Sequence, residues 1–431
     1  MPCTLKFAAY ENILKEELRP AMGCTEPIAI AYAAAILRHA LGEIPEVVYA
    51  GLSGNIIKNV KSVIVPMTGG KHGIDAAIVA GILSARPDKR LEVLTVLGDG
   101  AGEEIDRLSK SIKIDTREIN SSCTFELELK GYRGEKVALV QIVGEHTNVT
   151  RVEVNGDDAT EMYAERSCIE AVKSSEDRRE LSVEEILQFA NDVSLESLAP
   201  LLRRQIEMNM NIAKEGLTGN WGASIGKIIL DTSSGVASRA KAYAAAGSDA
   251  RMSGCELPVC IISGSGNQGI TASVPVVIYA EEIGATEEAL MRALIVSDLV
   301  TVHQKTGIGT LSAYCGAISA GVGAAAGICY LLGGDFRAVA HTIVNAVAIL
   351  SGTICDGAKP SCAAKIAMAV EAGILGYEMS KADKQFYGGD GIVTKGVENT
   401  IRNVGRLAKD GMSETDREII RIMLGKPSES D

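Results

Sequence analysis

Two cysteines separated by a short turn are the first candidates for chemistry in this sequence. Cys355 and Cys362 flank a turn that contains Gly357 and ends at Pro360, and Cys315 lies upstream in a glycine-rich stretch. Pro360 predicts the first position of a helix, which places Cys362 in the first turn, where free N–H groups favour a thiolate. Three thiolates can hold a four-iron cluster with one iron open for chemistry. Cysteines buried in a core give the same pattern, so spacing alone leaves both interpretations open.

A fourth cysteine comes just before a different predicted helix. Cys24 lies in the sequence Gly-Cys-Thr-Glu-Pro, and the apolar run 28–41 predicts a buried helix that Thr25 or Glu26 caps. A thiol at the positive end of a helix has a lowered pKa, which would let Cys24 act as a base or nucleophile. The alternative is a capping loop with an incidental cysteine.

Several polar residues in glycine-containing segments could bind the carboxylate of a substrate. Some lie in turns between apolar stretches, and others lie in a glycine-dense loop, 262–269, whose N–H groups could hold a small anion. The same segments could simply be turns or a helix break. We also expect the positive charge of Lys58 or Lys71 to lower the pKa of Cys24. The candidate substrate-binding residues are Asn55, Lys58, Lys71, His72, Asn267 and Gln268.

Composition limits the class of protein. The chain has 431 residues, a formal net charge of -12, 46% hydrophobic residues and only 4% aromatic residues. The negative charge argues against nucleic acid or an anionic membrane surface as a partner. The N-terminus is charged and shows no secretory leader, and the ten cysteines do not form the dense framework of a small disulfide-bonded domain. We therefore expect a cytoplasmic protein with reduced cysteines.

The length of the chain predicts two domains. Residues 1–180 are expected to form an α+β domain that carries the Cys24 turn, and residues 181–431 a mostly all-α helical domain that carries the other three cysteines. The site would then lie at their interface. Helices are predicted at 5–18, 28–41, 74–85, 184–217 and 225–246, a strand-like pattern at 46–71, and antiparallel strands within 112–155. His146, at the end of one of these strands, is expected to be structural.

Three long runs in the C-terminal half contain no charged residue. They are 257–280, 306–334 and 338–355. Runs of this length can span a bilayer, but glycine-rich and polar clusters interrupt them, and no aromatic belts flank them. Helices that are apolar on all sides also form the centre of large helical domains. We expect a protein without membrane spans that buries the remaining apolar surface in a homodimer.

Taken together, the motifs resemble those of the L-cysteine desulfidases, a group similar to the alpha chain of iron–sulfur L-serine dehydratases. The resemblance rests on residues 23–27, 264–269 and 306–310 and on the stretch around Cys355 and Cys362, and it runs nearly end to end. It implies a 4Fe-4S cluster held by three cysteines, which match Cys315, Cys355 and Cys362, and a base at the position of Cys24. The Ser-His-Thr motif of the serine dehydratases is missing from this chain.

The resemblance implies an α,β-elimination that converts L-cysteine to hydrogen sulfide, ammonia and pyruvate. The carboxylate and β-substituent of the amino acid would bind the open iron, which acts as a Lewis acid, while Cys24 removes the Cα proton. No pyridoxal phosphate is expected. An L-serine dehydratase with the same cluster is the nearest alternative. A zinc-bound structural or redox protein and a membrane transporter are alternatives of other classes.

Overall fold

The N-terminal part of the protein combines helices with a mixed sheet, and the remainder is mostly helical. A computed structural model describes residues 3–119, 121, 123–164, 177–309 and 311–425. The predicted fold class, an α+β part followed by a mostly all-α part, is confirmed. The boundary at residue 180 stays a prediction, because both ends of the chain pack across it.

The elements of the N-terminal part surround one six-stranded sheet. Its helices are α1 (Cys3–Glu17), α2 (Thr25–Leu41), α3 (Gly54–Val60), α4 (Ile74–Ser84) and α5 (Ala101–Ser109), with short 3-10 turns at Pro87–Glu92 and Thr160–Met162. The six strands of the sheet are β2 (Val47–Leu52), β3 (Lys113–Glu118), β4 (Glu126–Arg133), β5 (Lys136–Val143), β6 (Val149–Val154) and β7 (Asp157–Asp158). A further short strand, β1 (Pro20–Met22), lies outside this sheet.

The second part is built from long helices and one short strand. The helices are α6 (Val183–Asp192), α7 (Ala199–Thr218), α8 (Ile225–Thr232), α9 (Val236–Met252), α10 (Gly266–Ile283), α11 (Glu287–Ile308), α12 (Gly316–Leu331), α13 (Phe336–Ile349), α14 (Cys362–Lys381), α15 (Val397–Arg406) and α16 (Ser413–Leu424). The strand is β8 (Pro258–Cys260), and a π-helical turn covers Leu407–Gly411.

The sheet has the strand order β3-β2-β4-β5-β6-β7. The antiparallel strands expected within 112–155 are confirmed for β4, β5 and β6, and buried residues alternate with more exposed ones along β4. β3 instead pairs in parallel with β2. The strand-like prediction for 46–71 is wrong beyond β2, because residues 54–60 form helix α3, which buries Ile56 and Val60 in the core.

Two of the predicted long helices are each divided in two. The segment 184–217 is broken between α6 and α7, and Pro200 lies in the first turn of α7, where its missing N–H is harmless. The segment 225–246 is broken between α8 and α9, where Gly235 has a φ of 91° that favours glycine. Helical periodicity therefore predicted the type of these elements, while the local turn residues determined where they end.

Each end of the chain packs against the opposite part of the protein. In α1, the rings of Phe7 and Tyr10 lie 5.3 and 5.5 Å from that of Phe189 in α6. β1 pairs with β8 of the helical part. At the other end, Asp416 of α16 accepts hydrogen bonds from Lys58 and Asn55 of α3 at 2.6 and 2.7 Å.

The uncharged runs form buried helices in the centre of the helical part. α10 and α12 are almost entirely buried, and most residues of α13 are buried as well. Among the described residues, no helix is both long enough and apolar enough to cross a bilayer.

The ion pair between Lys58 and Asp416 should hold α16 against α3. The Lys58 side chain is only 1% exposed, so Asp416→Ala leaves a buried charge without its carboxylate. We expect the free energy that holds α16 in place to fall by about 3 kcal/mol. Amide hydrogen exchange in residues 413–424 should then be roughly a hundredfold faster. Mass spectrometry of the exchanged peptides measures this directly.

Glu414→Ala on the same helix is the matched control. Its partner Arg417 is 68% exposed, and exposed pairs contribute about 1 kcal/mol or less. Equal acceleration of exchange in the two variants would show that Asp416 does not anchor the helix.

Candidate active site

Four cysteines that are far apart in the sequence line one cavity of about 100 Å³. They are Cys24, Cys315, Cys355 and Cys362. The cavity lies where the turn around Cys24 and helix α3 meet the helical part. The structure therefore brings Cys24 and the other three cysteines to the wall of the same cavity, as expected.

Backbone hydrogen bonds bring Cys315 next to Cys355. The N–H of Cys315 donates to the carbonyl of Thr353 at 2.9 Å, and the N–H of Cys355 donates to the carbonyl of Ala313 at 2.6 Å. The two segments form a short antiparallel bridge in front of α12, and Cys315 is the N-cap residue of that helix. This pairing holds the two cysteines next to each other in space, although helices α12 and α13 separate them along the chain.

The turn 356–361 returns Cys362 to the same cavity. Gly357 has a φ of 91°, and a Cβ placed there would lie 2.6 Å from the carbonyl oxygen of Lys58, so this position requires glycine. Cys362 is the first residue of α14, which confirms its predicted place in the first helical turn. Pro360 was predicted as the first helical residue, but it precedes the helix because the chain is still turning there.

Burial controls the charge of these thiols. It raises the pKa of Cys315 to about 12, and the neighbouring Cys355 adds to the increase. Burial also raises the pKa of Cys362, again with a contribution from Cys355. The positive charge of Lys365 opposes both increases only in part, so these two thiols hold their protons at neutral pH, and a bound metal would displace those protons.

The donor set of three thiols can be compared with what a single metal ion and a cluster each require. Within the described ranges, no group of three or more histidine, cysteine, aspartate or glutamate side chains is placed to hold one metal ion. In an iron–sulfur cluster, each cysteine binds a different iron, so the sulfurs need not converge on one point. Three thiols on the wall of one cavity are compatible with that arrangement.

Cys24 is held by its own turn and by the helical part. It is the N-cap residue of α2, its side chain is buried, and its thiol donates to the Glu26 carboxylate at 3.1 Å. The hydroxyl of Thr25 donates to the carbonyl of Gly264 at 2.7 Å, which fixes this turn against the loop before α10. Asn59 donates to the other oxygen of Glu26 at 2.9 Å.

The pKa of Cys24 is raised, so the expectation of a lowered pKa is wrong. Burial is the main cause, and the negative charge of Glu26 adds to it, while Arg251 opposes both. Burial alone would raise the pKa of Glu26 too, but His146, the Cys24 thiol and Arg251 bring it below its usual value. With the pKa of Cys24 raised and that of Glu26 lowered, the proton lies on Cys24 and the negative charge on Glu26.

The two lysines expected to act on Cys24 have other partners. The ammonium group of Lys58 lines the cavity but binds Asp416 at 2.6 Å and the carbonyl of Cys355 at 3.4 Å. Lys71 lies outside the cavity and pairs with Asp106 at 2.7 Å.

The other candidate substrate-binding residues are divided in the same way. Asn267 and Gln268 line the cavity. Asn55 and His72 lie outside it, where Asn55 donates to Asp416 and His72 contacts the carbonyl of Gly70 at 3.2 Å. The structure thus gathers Lys58, Asn267 and Gln268 around the four cysteines.

The cavity wall also contains polar residues that were not predicted as site residues, and four of these are buried acidic or basic side chains. Burial lowers the pKa of Lys305 to about 8 and also lowers that of His146, which was expected to be structural. Arg251 is 3% exposed. No signal in the sequence distinguishes Lys305 and Arg251, because other charged residues lie on the same helices. The four residues are Glu26, His146, Arg251 and Lys305.

Comparison with known proteins gives a consistent picture. A family model described as serine dehydratase alpha chain matches residues 101–421, a region that includes Cys315, Cys355 and Cys362. The chain is 53% identical to a UPF0597 protein of Desulfitobacterium hafniense over 98% of both chains. It is 48% identical to a UPF0597 protein of Lachnoclostridium phytofermentans, over 96% of this chain and 98% of the relative. It is 45% identical to a UPF0597 protein of Finegoldia magna, over 97% of this chain and 99% of the relative.

Proposed function

Since this chain belongs to the serine dehydratase alpha chain family, we propose that it is a lyase that converts L-cysteine to hydrogen sulfide, ammonia and pyruvate. Family membership supports a dehydratase-like lyase, and L-cysteine as the substrate is our own inference. The observation that carries the proposal is the cavity in which Cys24 meets the three cysteines of the helical part. The missing Ser-His-Thr motif favours L-cysteine over L-serine.

We propose that Cys315, Cys355 and Cys362 hold a 4Fe-4S cluster. Cys315 is buried, Cys355 and Cys362 are partly buried, and all three share one cavity, in which the neighbouring Cys355 helps to raise the pKa of the other two thiols. A cationic cluster core would relieve that unfavourable interaction. When bound, the cluster would supply a Lewis-acidic iron that stabilises negative charge on the substrate. Three protein ligands leave one iron of such a cluster without a cysteine.

Cys24 is the proposed base. The Cα–H bond breaks and its proton passes to the Cys24 thiolate, while the electron pair forms the Cα–Cβ double bond. The Cβ–S bond breaks, and the sulfur leaves with its electron pair and takes up a proton. The resulting aminoacrylate tautomerises to an imine, which water hydrolyses to pyruvate and ammonia. The Glu26 carboxylate accepts the hydrogen bond of the thiol at 3.1 Å and is the proposed route by which that proton leaves once a bound ligand has lowered the pKa of Cys24.

L-serine is the second candidate substrate, because the matching family model is that of a serine dehydratase chain. It requires the same residues and differs only in the leaving group.

A cytoplasmic location, a homodimeric state and a lack of nucleic-acid partners stay predictions. Met368 and Leu375, exposed at 52% and 48% on α14, are apolar surface that a second subunit could cover.

The proposed activity is tested by purifying the protein without oxygen and measuring iron, sulfide and zinc together with turnover. We expect iron and sulfide to be bound, and pyruvate to form faster from L-cysteine than from L-serine at equal concentration. Faster turnover of L-serine would make the protein a serine dehydratase. Bound zinc with no turnover of either amino acid would contradict the proposal.

The cluster assignment is tested with Cys315→Ser, Cys355→Ser and Cys362→Ser. Each variant should lose the visible absorption of the cluster and most of its iron, because a serine hydroxyl is a poor ligand for iron–sulfur clusters. Cys329→Ser is the matched control, since Cys329 is also buried in the helical part but lies outside the cavity. Full iron content in all three variants would rule out these ligands.

The role of Cys24 is tested with Cys24→Ser. A serine hydroxyl is a far weaker acid than a thiol, so turnover should fall by about a hundred- to ten-thousandfold. Exchange of the Cα proton of L-cysteine with deuterated solvent, followed by NMR, should fall equally, while iron content stays unchanged. Loss of the cluster would identify Cys24 as a ligand. Unchanged exchange would assign the base to another residue of the cavity, and Lys305 would be tested next.

A further inference from the structure

We propose that Arg251, together with the N-terminus of α10, binds the carboxylate of the substrate. The identity of the ligand as an amino acid rests on the proposed function, but the carboxylate site itself is argued from the geometry of the cavity. Three separate features of the cavity wall support it. They are a buried guanidinium without a carboxylate partner, an uncapped helix end and a buried amide oxygen without a partner.

The first feature is the environment of Arg251. It occupies the last turn of α9, lines the cavity and is 3% exposed. Buried arginines are normally paired with a carboxylate, yet within the described ranges the side-chain partner of this one is the amide of Asn267. Its Nη1 donates to the Asn267 side-chain oxygen at 3.0 Å, and its Nε has no hydrogen-bond partner. The charge of Glu26 acts on Arg251 without an ion pair between them, so an anion in the cavity could bind the guanidinium directly.

The second feature is the start of α10, which lies directly beside this guanidinium. A Cβ placed on Gly266 would be 2.4 Å from Nε of Arg251, so glycine is needed for the close approach. The N-cap residue Ser265 makes no side-chain capping hydrogen bond. The first N–H groups of a helix have no partner within the helix and favour an anion, and here they start at the cavity wall.

The third feature is Gln268 in the first turn of the same helix. Its side chain is 5% exposed, and its Oε1 has no hydrogen-bond partner. A buried acceptor of this kind is unfavourable unless a donor reaches it, and the ammonium group of an amino acid is such a donor. The amide also lies against Gly316, the residue after Cys315, since a Cβ there would be 2.7 Å from the amide nitrogen.

These contacts place the carboxylate site between the proposed base and the proposed cluster ligands. The Thr25 hydroxyl joins the Cys24 turn to Gly264, just before α10. Gln268 joins the first turn of α10 to the start of α12, next to Cys315. In this arrangement, Asn267 has a positioning role, because its side-chain oxygen holds the guanidinium of Arg251.

Direct binding to the anaerobically purified protein tests the proposal. L-alanine is a suitable ligand because it keeps the carboxylate and ammonium groups but has no leaving group, and L-alaninamide replaces the carboxylate by a neutral amide. Calorimetry should show that the native protein binds L-alanine more tightly than L-alaninamide. Arg251→Gln should weaken the binding of L-alanine about ten- to a hundredfold, the usual effect of losing a hydrogen bond to a charged group, and leave that of L-alaninamide unchanged. Arg251→Lys should keep part of the preference because it keeps the charge.

Arg239→Gln is the matched control, because Arg239 lies on the same helix but forms an exposed ion pair with Glu282. The proposal is overturned if Arg251→Gln retains the preference for L-alanine, or if it loses both ligands equally. No binding of L-alanine by the native protein at millimolar concentration also overturns it. Binding that depends on Arg251 in a protein that turns over neither L-cysteine nor L-serine would support this site and contradict the proposed function.

Discussion

The site depends on the contact between the turn 356–361 and helix α3. At this contact, the α-carbon of Gly357 faces the carbonyl of Lys58 so closely that a side chain could not be accommodated. The turn carries Cys355 and Cys362 at its two ends, and α3 carries Asn59, which holds Glu26 beside Cys24. A change in the packing of this one turn would therefore move the cluster cysteines relative to the proposed base.

Burial determines the charge state of the cavity. Removing groups from water disfavours their charged forms, which raises the pKa of Cys24 and Cys315 and lowers that of Lys305. Charge remains on Glu26, because hydrogen bonds and nearby positive charge stabilise it. A cavity with protonated thiols, an ionised carboxylate and a buried guanidinium is arranged for a ligand that brings its own charges, as a metal cluster and an amino acid both do.

The ends of the chain reinforce the same interface. α1 and β1 pack on the helical part, and α16 packs on α3. Lys58 links the packing of α16 to the cavity wall, because its ammonium group binds Asp416 of α16 and also the carbonyl of Cys355. The C-terminal helix is thereby coupled to the segment that positions one of the proposed cluster ligands.

The sequence by itself determined the local features of this protein. Apolar periodicity and turn residues predicted most helices, the antiparallel strands and the helical start at Cys362, because these depend on neighbours within a few residues. Spacing and position before predicted helices singled out Cys24, Cys315, Cys355 and Cys362, and the resemblance implied their roles. Only the tertiary structure showed that these cysteines share a cavity with Arg251 and Lys305, since those contacts join distant segments. It also reversed the expected pKa shift of Cys24, because burial and the charge of Glu26 outweigh the helix end, and neither can be read from spacing along the chain.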